Sequence, residues 1–183
     1  MKRFLSISCL VALLLGTGGC RKGNPVSPTN KETDFPPDTK FSLTLYSPTT
    51  AVSVGDSFDV RVVLYNVTAV SGVALDVSYP PADVDVFSVD DGQAFFPPDS
   101  VISLSKIEPD TGRVEVGISY RNTGPGSSKS GSGVVCTFKC RAKAAGTASF
   151  VIDQNNLQIT NPTGTLIDHF EHLLIEDLSV IIR

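Results

Sequence analysis

Apolar and polar residues alternate with a period of two along most of the chain after residue 40, and the clearest run occupies residues 52–81, VSVGDSFDVRVVLYNVTAVSGVALDVSYPP. Phe58, Val60, Val62 and Leu64 alternate with Asp59, Arg61, Val63 and Tyr65. After a short break, Val73, Leu75, Val77 and Tyr79 alternate with Ala74, Asp76 and Ser78. This period puts one apolar row on one face of each strand, the pattern of a sheet with one buried face. Gly55 and Asp56 signal a turn before the first strand. Pro80 and Pro81 stop the second, because proline cannot donate to a ladder. Two half-buried strands need a second apolar layer to cover them.

The same pattern recurs downstream. Phe41, Leu43 and Leu45 alternate, as do Val114, Val116, Ile118 and Tyr120, then Ala148, Phe150 and Ile152, then Leu178, Val180 and Ile182. In residues 134–142, Val134, Cys136, Phe138 and Cys140 read as inward, with Thr137, Lys139 and Arg141 outward. Alternation is weaker at 83–89, and at 101–107 a short strand is predicted whose facing the pattern does not decide. Phe95 and Phe96, followed by two prolines, are expected to plug one end of the core. Turn signals stand at 90–92 and at 108–112, a hairpin loop. Residues 121–133, RNTGPGSSKSGSG, read as an exposed low-complexity loop. Leu166, Phe170 and Leu173 fall at i, i+4 and i+7 and predict a helical turn. Eight or nine short strands without a sustained helix indicate an all-β fold, an antiparallel β-sandwich or barrel. A domain over 41–183 buries roughly 68–70% of its unfolded surface, enough for one core without disulfide staples.

The first forty residues belong to something else. Lys2 and Arg3 precede a short apolar segment, residues 4–15, and Thr17-Gly18-Gly19-Cys20 follows. The apolar run is too short for a comfortable transmembrane helix. It resembles a bacterial lipoprotein signal, with Thr17 standing where that signal usually has Leu. The resemblance implies cleavage after residue 19, lipid attachment at Cys20 and a place in the bacterial cell envelope, anchored to a membrane. Residues 20–40 are rich in Pro, Thr, Asn and charge, and read as a flexible tether.

Composition narrows the function. A net charge of −4 without a basic block argues against a nucleic-acid partner. No Trp and four Tyr argue against a sugar-stacking platform, for which Tyr46 and Tyr65 are the obvious outward candidates. Cys136 and Cys140, at i and i+4 of one strand, stand about 13 Å apart, beyond the roughly 7 Å that a disulfide spans. They read as buried free thiols acting as small hydrophobes.

Taken in order, Val54-Gly55-Asp56-Ser57-Phe58, then Asn66-Val67, then residues 72–81, resemble the opening register of a cohesin domain. Gly92, the strand GRVEVGISY, Gly133-Val134 and Gly146 before FVID extend the likeness over most of 41–183. The resemblance implies a nine-strand jelly roll without catalytic activity or cofactor. Its implied partner is a dockerin, a small calcium-loaded helical module usually borne by polysaccharide-degrading enzymes. It also implies a docking face made by the strands at 72–79, 101–107, 113–120 and 134–142. The outward residues there are Ala74, Asp76 and Ser78; Glu115, Gly117 and Ser119; and Thr137, Lys139 and Arg141. Gly72 and Ala74 stand where many enzyme-binding cohesins carry Asn and Asp. A carbohydrate-binding module that binds polysaccharide, or a structural spacer of a surface assembly, would share the architecture.

Other candidate chemistry is sparse. His169 and His172 could ligate a metal from one helical turn, against the simpler reading of a solvated charged face opposite Leu166, Phe170 and Leu173. Asp83, Asp85, Asp90 and Asp91 could offer oxygen ligands to calcium, against the simpler reading of solvated loop carboxylates. There is no P-loop, nucleophile elbow or HExxH signature, so no enzyme is expected.

Overall fold

The computed structural model describes residues 40–92, 95–122, 126–167 and 173–183. The strands in chain order are β1 (Ser42–Tyr46), β2 (Ala51–Val52), β3 (Ser57–Val70), β4 (Gly72–Ser78), β5 (Val84–Asp91) and β6 (Val101–Glu108). They continue with β7 (Arg113–Tyr120), β8 (Lys129–Ala142), β9 (Gly146–Ile152), β10 (Gln158–Thr160), β11 (Leu174–Glu176) and β12 (Leu178–Ile182). β2, β10 and β11 have two or three residues each. The others are the strands that the alternation predicts. They form a jelly-roll sandwich of a five-stranded sheet, β11-β1-β3-β8-β5, and a seven-stranded sheet, β2-β12-β9-β4-β7-β6 with β10 beside β4. Pairing is antiparallel except at β1–β11 and β12–β2.

The two strands of 52–81 belong to opposite sheets. A single residue, Ser71, carries the chain across the sandwich, and its N–H donates to the Thr160 carbonyl at 2.7 Å. Their apolar rows therefore face each other, each supplying the layer that the other needs. Phe58, Val60, Val62 and Leu64 meet Val73, Leu75 and Val77 in one continuous core. Phe150 of β9 packs edge-on to Phe58 and stacks on Tyr79, with ring centroids 6.3 Å apart in both pairs. Phe95 and Phe96 are buried at one end, edge to face at 4.9 Å, and Phe96 continues onto Tyr120 at 5.7 Å. The predicted plug is present. Gly92 and Gly133 allow its approach: a Cβ at Gly92 would stand 2.0 Å from the Val134 carbonyl oxygen, and one at Gly133 3.0 Å from the Phe95 ring.

Cys136 and Cys140 are free and buried, opposite Val62 and Phe58 in the ladder. Burial pushes both thiols well above their ordinary range.

The expected loop over 121–133 is shorter than the composition suggests, because β8 already begins at Lys129. β3 runs on past Leu64 with register breaks on either side of Val67. Asn66 and Ala69 take positive φ values of 53° and 52° there. Such bulges leave backbone donors out of the ladder, and serines from β8 accept them. Asn66 N–H donates to Ser132 Oγ at 3.0 Å and Ala69 N–H to Ser130 Oγ at 2.9 Å. The Ser/Gly run is therefore a strand matched to a bulged partner.

The signal segment, Cys20 and tether residues 20–39 lie outside the described residues. So do Phe170 of the predicted helical turn and the pair His169 and His172.

Candidate functional site

The outer face of β4, β7 and β6 is a regular grid. Ladder registry places Gly72, Ser119 and Ile102 in one row and Ala74, Gly117 and Leu104 in the next. Asp76, Glu115 and Lys106 follow, then Ser78, Arg113 and Glu108. β10 adds Gln158 beside Ala74 and Thr160 beside Gly72.

The first two rows make a shallow apolar depression of about 400 Å³. Its floor is Gly72, Ala74, Gly117 and Ser119, and its wall is Ile102 and Leu104, which are 54% and 72% exposed. The two glycines are small for different reasons. A Cβ at Gly72 would meet the Thr160 hydroxyl at 2.8 Å and the Ser119 side chain at 3.1 Å, so the neighbours within the fold already crowd that position. A Cβ at Gly117 would meet nothing within 4 Å. Glycine inside a strand costs roughly 0.5–1 kcal/mol relative to Ala, and no contact of the fold repays that at Gly117. The space it leaves opens to the outside.

The last two rows are charged but largely paired within the face. Arg113 bonds the Asp76 carboxylate and stands 3.3 Å from Glu115. Lys106 bonds Glu108. The hydrogen bond to Asp76 stabilises the Arg113 guanidinium further, and the one from Lys106 holds the Glu108 carboxyl below its usual value. Asp76 is also walled by the turn at Gln154–Asn156, since its carbonyl accepts from Asp153 N–H at 2.9 Å. A binder meets an aliphatic half with no charge and a charged half already close to neutral.

Ala74, Asp76, Ser78, Glu115 and Ser119 thus share one face, as expected. Thr137, Lys139 and Arg141 do not join them. β8 pairs with β3 and β5 in the opposite sheet, with Lys139 across from Asp59 and Arg141 across from Asp85. Lys139 is bound to Asp59 at 3.1 Å, and the Arg141 guanidinium lies 5.6 Å from the Phe87 ring centre. Alternation distinguishes inside from outside within a strand but carries no information on which sheet the strand enters.

The sequence reading also missed Ile102 and Leu104. Their strand has an apolar residue in each row, Val101 and Ile107 against Ile102 and Leu104, with serines in between, so the period-two rule gives no answer. Only the pairing of β6 with β7 orients it.

The other candidates separate. Tyr65 is buried and Tyr46 half-buried, so they form no exposed ring platform. Asp90 faces Lys139 and Asp91 accepts from the Ser103 hydroxyl. Among the described residues no three His, Cys, Asp or Glu side chains stand together as a metal site.

A jelly roll that presents one open sheet with a side-chain-poor floor is a β-sandwich recognition module. Residues 43–169 match the cohesin domain family model, and the chain belongs to the cohesin family, whose members are non-enzymatic protein-interaction modules. Among solved structures it is similar to a type II cohesin domain from the cellulosome of Acetivibrio cellulolyticus. That likeness has a TM-score of 0.66 at 14% identity and covers 76% of this chain and 94% of the other. A type II cohesin–X–dockerin complex of the same organism gives 0.65 at 14% identity, covering 78% and 99%. A non-cellulosomal cohesin from the archaeon Archaeoglobus fulgidus gives 0.60 at 17%, covering 78% and 91%. No curated protein sequence matches the chain.

Proposed function

We propose that this cohesin is a membrane-anchored receptor that takes a calcium-loaded dockerin-type module on the outer face of β4, β7 and β6. The observation that carries this reading is the depression floored by Gly117. It is a cost to the strand without a contact in the fold, set beside two aliphatic side chains left in water. An apolar side chain of a partner helix would fill the space and cover Ile102 and Leu104 at once. The rows of Asp76, Glu115, Lys106, Ser78, Arg113 and Glu108 then form the polar rim that fixes orientation.

Lipid attachment at Cys20, after loss of residues 1–19, holds the domain at the cell envelope. The dockerin would bring a polysaccharide-degrading enzyme to that surface. Two experiments test these steps. Titration of the purified chain with calcium-loaded type I and type II dockerins should give saturable binding that a chelator abolishes. The absence of binding by either type at micromolar concentrations would refute the partner. Metabolic labelling with a radioactive fatty acid should mark the wild-type chain and not Cys20→Ala, and equal labelling of both would refute the anchor.

A further inference from the structure

The apolar depression over Gly117 is one end of a longer groove. A second depression, of about 310 Å³, shares Ala74, Gly117 and Leu104 with it and runs on to Glu115 and Asn156. A third, of about 510 Å³, shares Asp76 with the second and reaches Ser78, Arg113 and Asn155. The outward residues of β4 and β7 form the floor. Ile102, Leu104 and Lys106 of β6 stand on one side. Thr160 and Gln158 of β10 stand on the other, continued by the turn Gln154–Asn156. From β10 to β6 is three strand spacings, about 14 Å, and a helix with its side chains is about 10–12 Å across. Gly72 to Ser78 covers about 20 Å of strand, the length of about 13 helical residues. These are the dimensions of one helix laid along the strands.

The two ends of the groove differ in charge. Its first two rows and β10 carry no charged side chain. At the far end the rows hold Asp76, Glu115 and Glu108 against Lys106 and Arg113, close to balance. The margin tips that balance. Asp110 lies in the hairpin between β6 and β7. Asp153 caps the turn, accepting from Asn155 N–H at 3.0 Å and from the Asn156 amide at 2.8 Å. Asp177 accepts from Ile152 N–H at 3.0 Å. Six carboxylates thus stand against two cations, a net −4. Lys143, bound to the Pro81 carbonyl at 2.6 Å, adds a cation at this end, which Asp83 beside it offsets. The Asn155 and Asn156 amide nitrogens both donate to Asp153, and their oxygens remain as acceptors.

We propose that this groove selects a partner helix by its polarity, a reading that rests on β4, β7 and β6 being the dockerin face. Aliphatic side chains at i and i+4 of the helix fill the depression over Gly117. Lys or Arg at i+8 and i+11 lies over the acidic end. At about 100° per residue those four positions fall within about 80° of one another and span about 16 Å, so one helix face presents them all. The aliphatic pair supplies burial, while the charges fix which way the helix lies and reject one with carboxylates at the same positions.

Two stapled helical peptides of about 15 residues test the polarity without a natural partner. Both carry Leu at i and i+4, and they differ in having Lys or Glu at i+8 and i+11. In a chemical-shift titration of the isotope-labelled chain, the Lys peptide should move amides of β4, β6 and β7. It should bind at least about fivefold more tightly than the Glu peptide at low salt, and the difference should shrink as salt is added. Glu108→Lys combined with Asp110→Lys should abolish the preference, with an unchanged urea midpoint confirming the fold. Equal binding of the two peptides, shifts confined to other strands, or no binding of either at millimolar concentration would overturn the proposal. A dockerin that is lost with Leu104→Asp yet indifferent to Glu108→Lys/Asp110→Lys would overturn the polarity alone and leave the dockerin reading standing. Failure of every dockerin, with the Lys preference intact, would do the reverse.

Discussion

Leu104 and Gly117 together give the sharpest test of the proposed face, because they should move stability and binding independently. Leu104 is 72% exposed and so contributes little to the fold. Full burial of a leucine contributes about 1.5–3 kcal/mol, and with most of the side chain still in water about 1–2 kcal/mol is left for a partner to gain. Leu104→Ala should therefore weaken dockerin binding roughly tenfold. Leu104→Asp places a charge in a desolvated centre and should weaken it about a hundredfold or more. Neither should change the unfolding free energy by more than about 0.5 kcal/mol. Gly117→Leu fills the floor from the strand's own side. Since its Cβ meets nothing within 4 Å, the fold should tolerate or gain from it, by up to about 1 kcal/mol, while affinity falls. Calorimetric titration with the bound dockerin, paired with urea denaturation of each variant, reads both quantities. If Leu104→Asp and Gly117→Leu both bind within twofold of wild type, the partner does not sit on β4, β7 and β6.

The opposite sheet supplies the control: Lys139→Glu combined with Arg141→Glu should leave dockerin affinity within about twofold, since rim or remote charges contribute little to a distant interface, and a larger loss in the same titration would return β8 to the binding face. Phe95→Ala empties the plug and should cost about 3–5 kcal/mol, read as a lower urea midpoint. Gly92→Ala drives a methyl to within 2.0 Å of the Val134 carbonyl oxygen and should cost more than about 2 kcal/mol, measured the same way. Burial raises the thiols of Cys136 and Cys140, so at pH 8.5 the reactive thiolate is scarce in the native protein. Both should react with a disulfide reagent only at the rate of unfolding, and fast labelling in native buffer would contradict their burial.

The apolar rows at Phe58–Leu64, at Val73–Val77 and at Val114–Ile118 were readable along the chain because inward facing is a local property. Each strand's period of two states which side avoids water, and the turn residues between strands state where each one ends. The ordered glycines and the residues around 54–81 carried the family as well, since they mark turns and close approaches that neighbouring residues specify. The free state of the two cysteines followed from strand rise alone.

Tertiary structure decided everything that depends on which strand lies beside which. Whether Thr137, Lys139 and Arg141 join Ala74 and Glu115 depends on β8 choosing β3 rather than β7, a contact between residues far apart in sequence that no local period encodes. The same holds for Ile102 and Leu104, whose rows tie in apolar content until the ladder with β7 orients them, and for Ser130 and Ser132, whose composition says loop until a bulged partner needs their hydroxyls. Inside and outside are set by the hydrophobic effect residue by residue, while the shared face that a partner meets is set by long-range pairing.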